Sequence, residues 1–122
     1  MVRIMVEKTL SIKPGSVYWI DVEPHSGREQ GGHLVSENNI RRPVVVVSNE
    51  RYNEHNMALV FACTSTNKKN RYLLPIMLKK PSNIILSQIL GYDMVSRNAQ
   101  YMGFDVGQET LSYLRNIVMQ YI

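Results

Sequence analysis

The sequence predicts a small, mainly β (α+β) fold: an antiparallel barrel that is closed or covered by a C-terminal α-helix. Runs rich in β-branched and aromatic residues come first, and the one clear helical pattern comes last. Strands and helices do not alternate along the chain as a parallel sheet requires. The 122 residues, 44% hydrophobic and 20% charged, suit a single compact domain spanning 1–122.

Five segments have the composition of strands and are bounded by turn-forming residues. They are 16–22, 43–48, 57–63, 71–78 and 84–90. The valine run after Pro43 predicts a strand that is buried on both faces. Pro75 has no N–H to donate, so its strand is expected at an edge of the sheet or at a bulge. The long polar segment 23–42 between the first two strands is expected to be a functional loop.

The C-terminal helix is predicted from apolar residues that recur at spacings of three, four and seven. They are Leu111, Leu114, Ile117, Val118 and Tyr121. Asp105, with Gln108 three positions later, has the pattern of a helix N-cap. We expect the apolar stripe to pack on the barrel, and a dimer surface is the alternative.

Composition also bears on location and chemistry. No apolar run is long enough to span a membrane and charges interrupt the N-terminus early, which predicts a cytoplasmic protein without membrane association. The single Cys63 has no internal disulfide partner, and its apolar surroundings predict a buried thiol. The net charge is +4, and the segment 68–80 holds five cations and no acid. That segment either attracts phosphates or is a solvated loop.

Several classes of site lack their sequence signals. Phosphate-binding loops, dinucleotide motifs, His-Glu-x-x-His and paired-cysteine spacings are absent. The three histidines, His25, His33 and His55, have no cysteine or clustered carboxylate beside them in the sequence. We therefore expect neither a metal site nor a cofactor.

Polar side chains gather instead at the predicted strand ends. They are Glu29 with Gln30, Arg41 with Arg42, Thr64 with Ser65, and Ser87 with Gln88. Cleaving RNA without a metal requires a base for the ribose 2′-hydroxyl, a cation for the charge that develops on the phosphate, and hydrogen-bond donors. Glutamate, arginine and threonine supply these roles. The same residue types are also common as exposed or turn-forming groups, so the pattern alone leaves both interpretations open.

The order of five longer segments along the chain is a more specific signal of function than these single polar residues. They read Lys-Pro-Gly-Ser-Val-Tyr-Trp-Ile-Asp-Val-Glu-Pro at 13–24, Gly-Arg-Glu-Gln-Gly-Gly at 27–32, Arg-Pro-Val-Val-Val-Val-Ser-Asn at 42–49, Ala-Cys-Thr-Ser at 62–65, and Ile-Ile-Leu-Ser-Gln at 84–88 followed by Asp93. Together they resemble the MazF/PemK (Kid) family of toxin endoribonucleases. The segment from about 33 to 41 is an insertion relative to that pattern.

This resemblance implies a SH3-like barrel (MazF/CcdB-like) with a C-terminal helix, and a homodimer. It also implies the toxin of a type II toxin–antitoxin system, which cleaves single-stranded mRNA without a metal and inhibits translation and growth. The products expected from the family are a 2′,3′-cyclic phosphate and a free 5′-hydroxyl. The partner expected is a labile antitoxin protein, encoded beside the toxin, whose flexible tail occupies the RNA groove.

Carried over by position, the resemblance gives three catalytic candidates. Arg42 stabilises the transition state, with Arg41 as its competitor, Thr64 orients the phosphate or shares in proton transfer, and Glu29 is the general base. The expected RNA-binding residues are Gln30, His33, Ser65, Lys68, Lys69 and Gln88.

The alternative is a barrel of the same fold that acts only by binding, either as a gyrase poison similar to CcdB or as an RNA- or peptide-binding module. A pure binder has no need to retain Glu29, Arg42 and Thr64 together.

Overall fold

The computed structural model describes residues 11–21, 41–65 and 70–122. Within these ranges the chain forms six β-strands, a short 3-10 helix and a C-terminal α-helix. The strands are β1 (Ser16–Asp21), β2 (Arg41–Val46), β3 (Met57–Thr64), β4 (Leu73–Met77), β5 (Pro81–Asp93) and β6 (Gln100–Asp105). The 3-10 helix is Tyr52–His55 and the α-helix, α1, is Gln108–Gln120.

The six strands form one antiparallel sheet in the order β4-β5-β3-β2-β1-β6, curved as a half-barrel. The predicted mainly β class and the C-terminal helix are confirmed. β4 lies at one edge of the sheet, the position that Pro75 favours because it cannot donate to a second neighbour.

Apolar side chains are buried on both faces of the central strands. Val45 belongs to a helix-side cluster with Phe61 and Leu114, whereas Val44 and Val46 belong to a second cluster on the other face. All three valines are fully buried. This arrangement confirms the prediction from the valine run, and each such side chain contributes about 1.5–3 kcal/mol of burial free energy.

Helix α1 packs on the sheet through its apolar stripe. Leu111 and Leu114 are buried in the helix-side cluster. At the C-terminal end, the Tyr121 hydroxyl donates to the carbonyl of Leu86 at 3.1 Å, although half of the tyrosine surface is exposed. The expectation that the stripe faces the sheet is confirmed.

The predicted N-cap is wrong. The helix begins at Gln108 with Gly107 in the cap position, and no side chain caps it. Asp105 is instead the last residue of β6, where its carboxylate accepts a hydrogen bond from the Tyr101 hydroxyl at 2.9 Å. Asp105 lies two residues before the cap position and its carboxylate binds Tyr101 instead of the helical N–H groups.

Strand bounds also differ from the predicted ones. β6 was not predicted, because its sequence lacks an alternating apolar pattern and includes Gly103 at φ +80°. β5 is longer than expected and contains a register break: Ile89 pairs with Phe61 and Ile84 with Cys63. The residues between them form a bulge, which bends the strand between its two neighbours.

The predicted loop 23–42 lies mostly outside the described residues. Its last two residues, Arg41 and Arg42, are the first two of β2 and not part of a loop. In the ranges that the structure describes, no helix is long and apolar enough to cross a membrane.

Candidate functional site

A cleft of about 320 Å³ opens where the end of β1, the start of β2 and the end of β3 meet the start of β5. We call it the arginine cleft. Its polar lining includes both arginines of β2 and the polar residues that end β3: Arg41, Arg42, Thr64 and Ser65, with Trp19 and Lys80 beside them. Three predicted site residues, Arg42, Thr64 and Ser65, are therefore brought together.

Strand register explains this convergence. Val44 of β2 pairs with Ala62 of β3, and the two strands are antiparallel. Arg42 precedes Val44 by two residues and Thr64 follows Ala62 by two, so both side chains emerge on the same face of the sheet at the same end. Thr64 in turn pairs with Asn83 of β5, which extends the row across a third strand.

The two adjacent arginines have different environments. Arg41 forms an ion pair with the buried carboxylate of Asp21 at 2.5 Å. Arg42 is half-buried, and among the described residues none makes a hydrogen bond or an ion pair with its guanidinium. The sequence left Arg41 and Arg42 as competitors, and the geometry favours Arg42 as the cation that is available to a phosphate.

The cleft has the electrostatics of an anion site. Arg41, Arg42 and Lys80 line it, and the lining drawn from the described residues includes no acidic side chain. Asp21 balances the charge of Arg41, which leaves the charges of Arg42 and Lys80 to attract an anionic ligand.

Cys63 also borders the cleft but is fully buried. Burial raises the pKa of its thiol to about 12, so the sulfur stays protonated at neutral pH. The predicted buried thiol is confirmed, and Cys63 has no thiolate to act as a nucleophile.

Trp19, Lys80 and Ser82 are lining residues that the sequence did not single out. Ser82 is buried and donates to the carbonyl of Lys80 at 3.1 Å, which fixes the backbone that carries this cation. Lys80 belongs to the cation-rich segment 68–80, so charge gave a signal for it. No sequence signal indicated Trp19, because the position of Trp19 in the cleft depends on strand pairing.

The other predicted site residues are not placed in the cleft. Glu29, Gln30, His33, Lys68 and Lys69 lie outside the described residues, and their roles stay predictions. Gln88 is exposed on the bulge of β5 and does not line the cleft. Of the residues in 11–21, 41–65 and 70–122, no three His, Cys, Asp or Glu side chains are grouped to hold a metal ion.

Residues 13–122 match a family described as PemK-like, MazF-like toxin of type II toxin-antitoxin system. The chain belongs to this family. The match includes every described strand and the helix, and it agrees with the MazF/PemK resemblance of the sequence motifs.

Solved structures of MazF proteins have the same fold as this chain. Crystal structures of MazF and of MazE-MazF from Deinococcus radiodurans resemble this MazF-like chain. MazF (Form-I) is 22% identical, with 92% of this chain and 96% of that chain covered and a TM-score of 0.70. MazE-MazF (Form-III) is 17% identical, with 92% and 96% covered and a TM-score of 0.72. At these identities the likeness establishes the MazF fold. Comparison with curated proteins gives no match.

Proposed function

We propose that this MazF-like toxin is an endoribonuclease that cleaves single-stranded mRNA without a metal ion and thereby inhibits translation and growth. The observation that carries the proposal is the presence of Arg42, Thr64 and Ser65 in one cleft, with Arg42 not engaged by another described side chain. Family membership supports it, and the segments that contain these positions resemble motifs of the MazF/PemK family.

The proposed reaction is an in-line transfer within the RNA. The ribose 2′-oxygen attacks the neighbouring phosphorus as a base removes its proton, and the bond from phosphorus to the 5′-oxygen breaks. The departing 5′-oxygen receives a proton, so the products are a 2′,3′-cyclic phosphate and a 5′-hydroxyl. Arg42 stabilises the charge that develops on the phosphate oxygens.

Thr64 and Ser65 are the proposed donors that orient the phosphate. Thr64 is the last residue of β3 and Ser65 follows it directly, so a rigid strand positions both residues. Glu29 is the proposed general base, an assignment that depends on the family motif alone. Gln30, His33, Lys68, Lys69 and Gln88 are proposed to contact RNA outside the scissile step.

Partners form a further part of the proposal. Three of the similar structures are of MazE-MazF, which supports a cognate antitoxin that binds this toxin. We also propose a homodimer, as the family resemblance implies, and a cytoplasmic site of action, where mRNA is translated. Co-expression with the neighbouring open reading frame tests the antitoxin, and light scattering of the purified protein tests the dimer.

The decisive experiment incubates the purified protein with a long single-stranded RNA in excess EDTA. Discrete fragments are expected, and their 5′ ends should accept a phosphate from polynucleotide kinase because they carry hydroxyls. Intact RNA, bound or unbound, would instead indicate a barrel that acts only by binding. A gyrase assay with supercoiled DNA then separates a CcdB-like activity from RNA or peptide binding.

A further inference from the structure

Asp21 is a buried carboxylate at the end of β1, where the strand reaches the arginine cleft. It is 3% exposed. One carboxylate oxygen accepts from Arg41 at 2.5 Å, and the other accepts from the Asn98 side-chain amide at 2.8 Å. Its backbone is also fixed, because its N–H donates to the Arg97 carbonyl at 2.9 Å and its carbonyl accepts from the Arg97 guanidinium at 3.1 Å.

The guanidinium of Arg41 is held on several elements at once. Besides Asp21, it donates to the Asn98 carbonyl at 3.2 Å and to the Gln100 side-chain oxygen at 3.1 Å. A weaker contact at 3.4 Å reaches the Trp19 carbonyl. Arg41 thus joins the first residue of β2 to β1, to β6 and to the turn before β6.

Arg42 is the next residue along the same strand. In the register of β1 and β2, Asp21 pairs with Arg41 and Ile20 pairs with Arg42. Because side chains alternate along a strand, fixing Arg41 on one face determines the direction in which Arg42 leaves the other. Both arginines nevertheless line the cleft at this end of β2, so Arg41 released from Asp21 would be a second free guanidinium beside Arg42.

We propose that Asp21 is a positioning residue: it holds Arg41 away from the RNA phosphates and orients Arg42 as the cation that meets the scissile phosphate. This inference rests on the proposed RNA cleavage. Asp21 touches neither substrate nor reacting atoms, and it acts through Arg41 and the start of β2.

The proposal predicts two effects of opposite sign for Asp21→Asn. Releasing Arg41 adds a mobile cation to the cleft, so binding of single-stranded RNA becomes tighter at low salt. The slope of log affinity against log salt steepens by about 0.7, the value for one added phosphate contact on a single strand. The single-turnover cleavage rate falls roughly 10–100-fold, because a misplaced catalytic group loses effective molarity. If Asp21 had a purely structural role, Asp21→Asn would weaken RNA binding as well as slow cleavage.

Arg41→Gln supplies the complementary test. Since Arg41 is held away from RNA, its loss should leave the affinity and the salt slope unchanged while the single-turnover rate falls. Arg42→Gln, by contrast, should lower the salt slope by about 0.7. Arg51→Gln, which removes an exposed cation before the 3-10 helix, is the matched control and should change neither quantity.

Affinity is measured with a 2′-O-methyl RNA oligonucleotide, which cannot be cleaved, and rates are measured with the same sequence as RNA. A normal rate with an unchanged slope for Asp21→Asn, or a reduced slope for Arg41→Gln, overturns the proposal. If Asp21→Asn does not fold, the salt slope and the single-turnover rate of Arg41→Gln test the proposal on their own. If the unmodified protein does not cleave RNA, the proposed function fails, but the salt slopes still test how Asp21 restrains Arg41.

Discussion

Arg42 and Thr64 reach the same cleft from neighbouring antiparallel strands, one at the start of β2 and the other at the end of β3. Each lies two positions from a fully or nearly fully buried residue of its own strand: Arg42 precedes Val44, and Thr64 follows Ala62. The buried core thus fixes the two polar groups relative to each other.

Arg42→Ala is expected to lower the RNA cleavage rate by about 10²–10³, the usual cost of losing one preorganised electrostatic donor. Circular dichroism and the melting temperature should stay close to those of the unmodified protein, because Arg42 is half-buried and no described residue bonds to its side chain. Lys79→Ala, an exposed cation outside the cleft, is the control and should cleave normally. Full cleavage by folded Arg42→Ala would remove this arginine from the mechanism.

Thr64→Val removes one hydroxyl while keeping the β-branched shape that suits a strand. We expect a slower single-turnover rate, by roughly 10² where the hydroxyl donates to the transition state. Thr64→Ser keeps the hydroxyl and should retain most of the rate. Equal rates for the valine and serine variants would show that the hydroxyl takes no part in cleavage.

Lys80→Ala is expected to weaken RNA binding to a similar extent for every sequence tested. Lys80 lines the cleft, and a lysine that contacts a phosphate contributes about 0.7 to the salt slope on single strands. Binding of a 2′-O-methyl oligonucleotide at several salt concentrations measures that slope. Lys79→Ala again provides the comparison, and equal slopes for both variants would place Lys80 outside the RNA path.

The strands at the centre of the fold could be predicted because they are buried on both faces and their sequences are therefore almost entirely apolar. Four consecutive valines cannot be placed on an exposed surface without cost, so the run after Pro43 predicts a buried strand whatever its neighbours. β6 could not be predicted in this way, because it is largely exposed and depends on pairing with β1.

The site was predictable to a different degree at each position. Arg42, Thr64 and Ser65 followed from motifs. The choice between Arg41 and Arg42 needed the register, because the partner that occupies Arg41 lies 20 residues earlier at Asp21. The contribution of Lys80 to the cleft also depends on how β5 begins beside β3, which no local pattern encodes.

Asn53→Ala should lower the free energy of unfolding by about 1–3 kcal/mol, the cost of leaving buried polar groups without partners. Asn53 is 2% exposed, and its amide donates to the carbonyls of Ile12 at 2.9 Å and Ser48 at 3.2 Å. Its side-chain oxygen accepts from the Ser48 hydroxyl at 2.6 Å. Urea unfolding measures the change, and Glu54→Ala, an exposed neighbour, should shift it by no more than about 0.5 kcal/mol.

Raising the pH above 9 should destabilise the protein partly through Cys63. Burial raises the pKa of this thiol from its ordinary value of 9.0 to about 12. Below pH 9 the thiol is protonated in both the folded and the unfolded chain, so its contribution to stability is complete. Between pH 9 and about 12 only the unfolded chain ionises, and this contribution is lost as the pH rises. Urea unfolding from pH 8 to pH 11 measures the loss, and Cys63→Ala should show a shallower decline. Parallel declines for the two proteins would show that the thiol does not contribute.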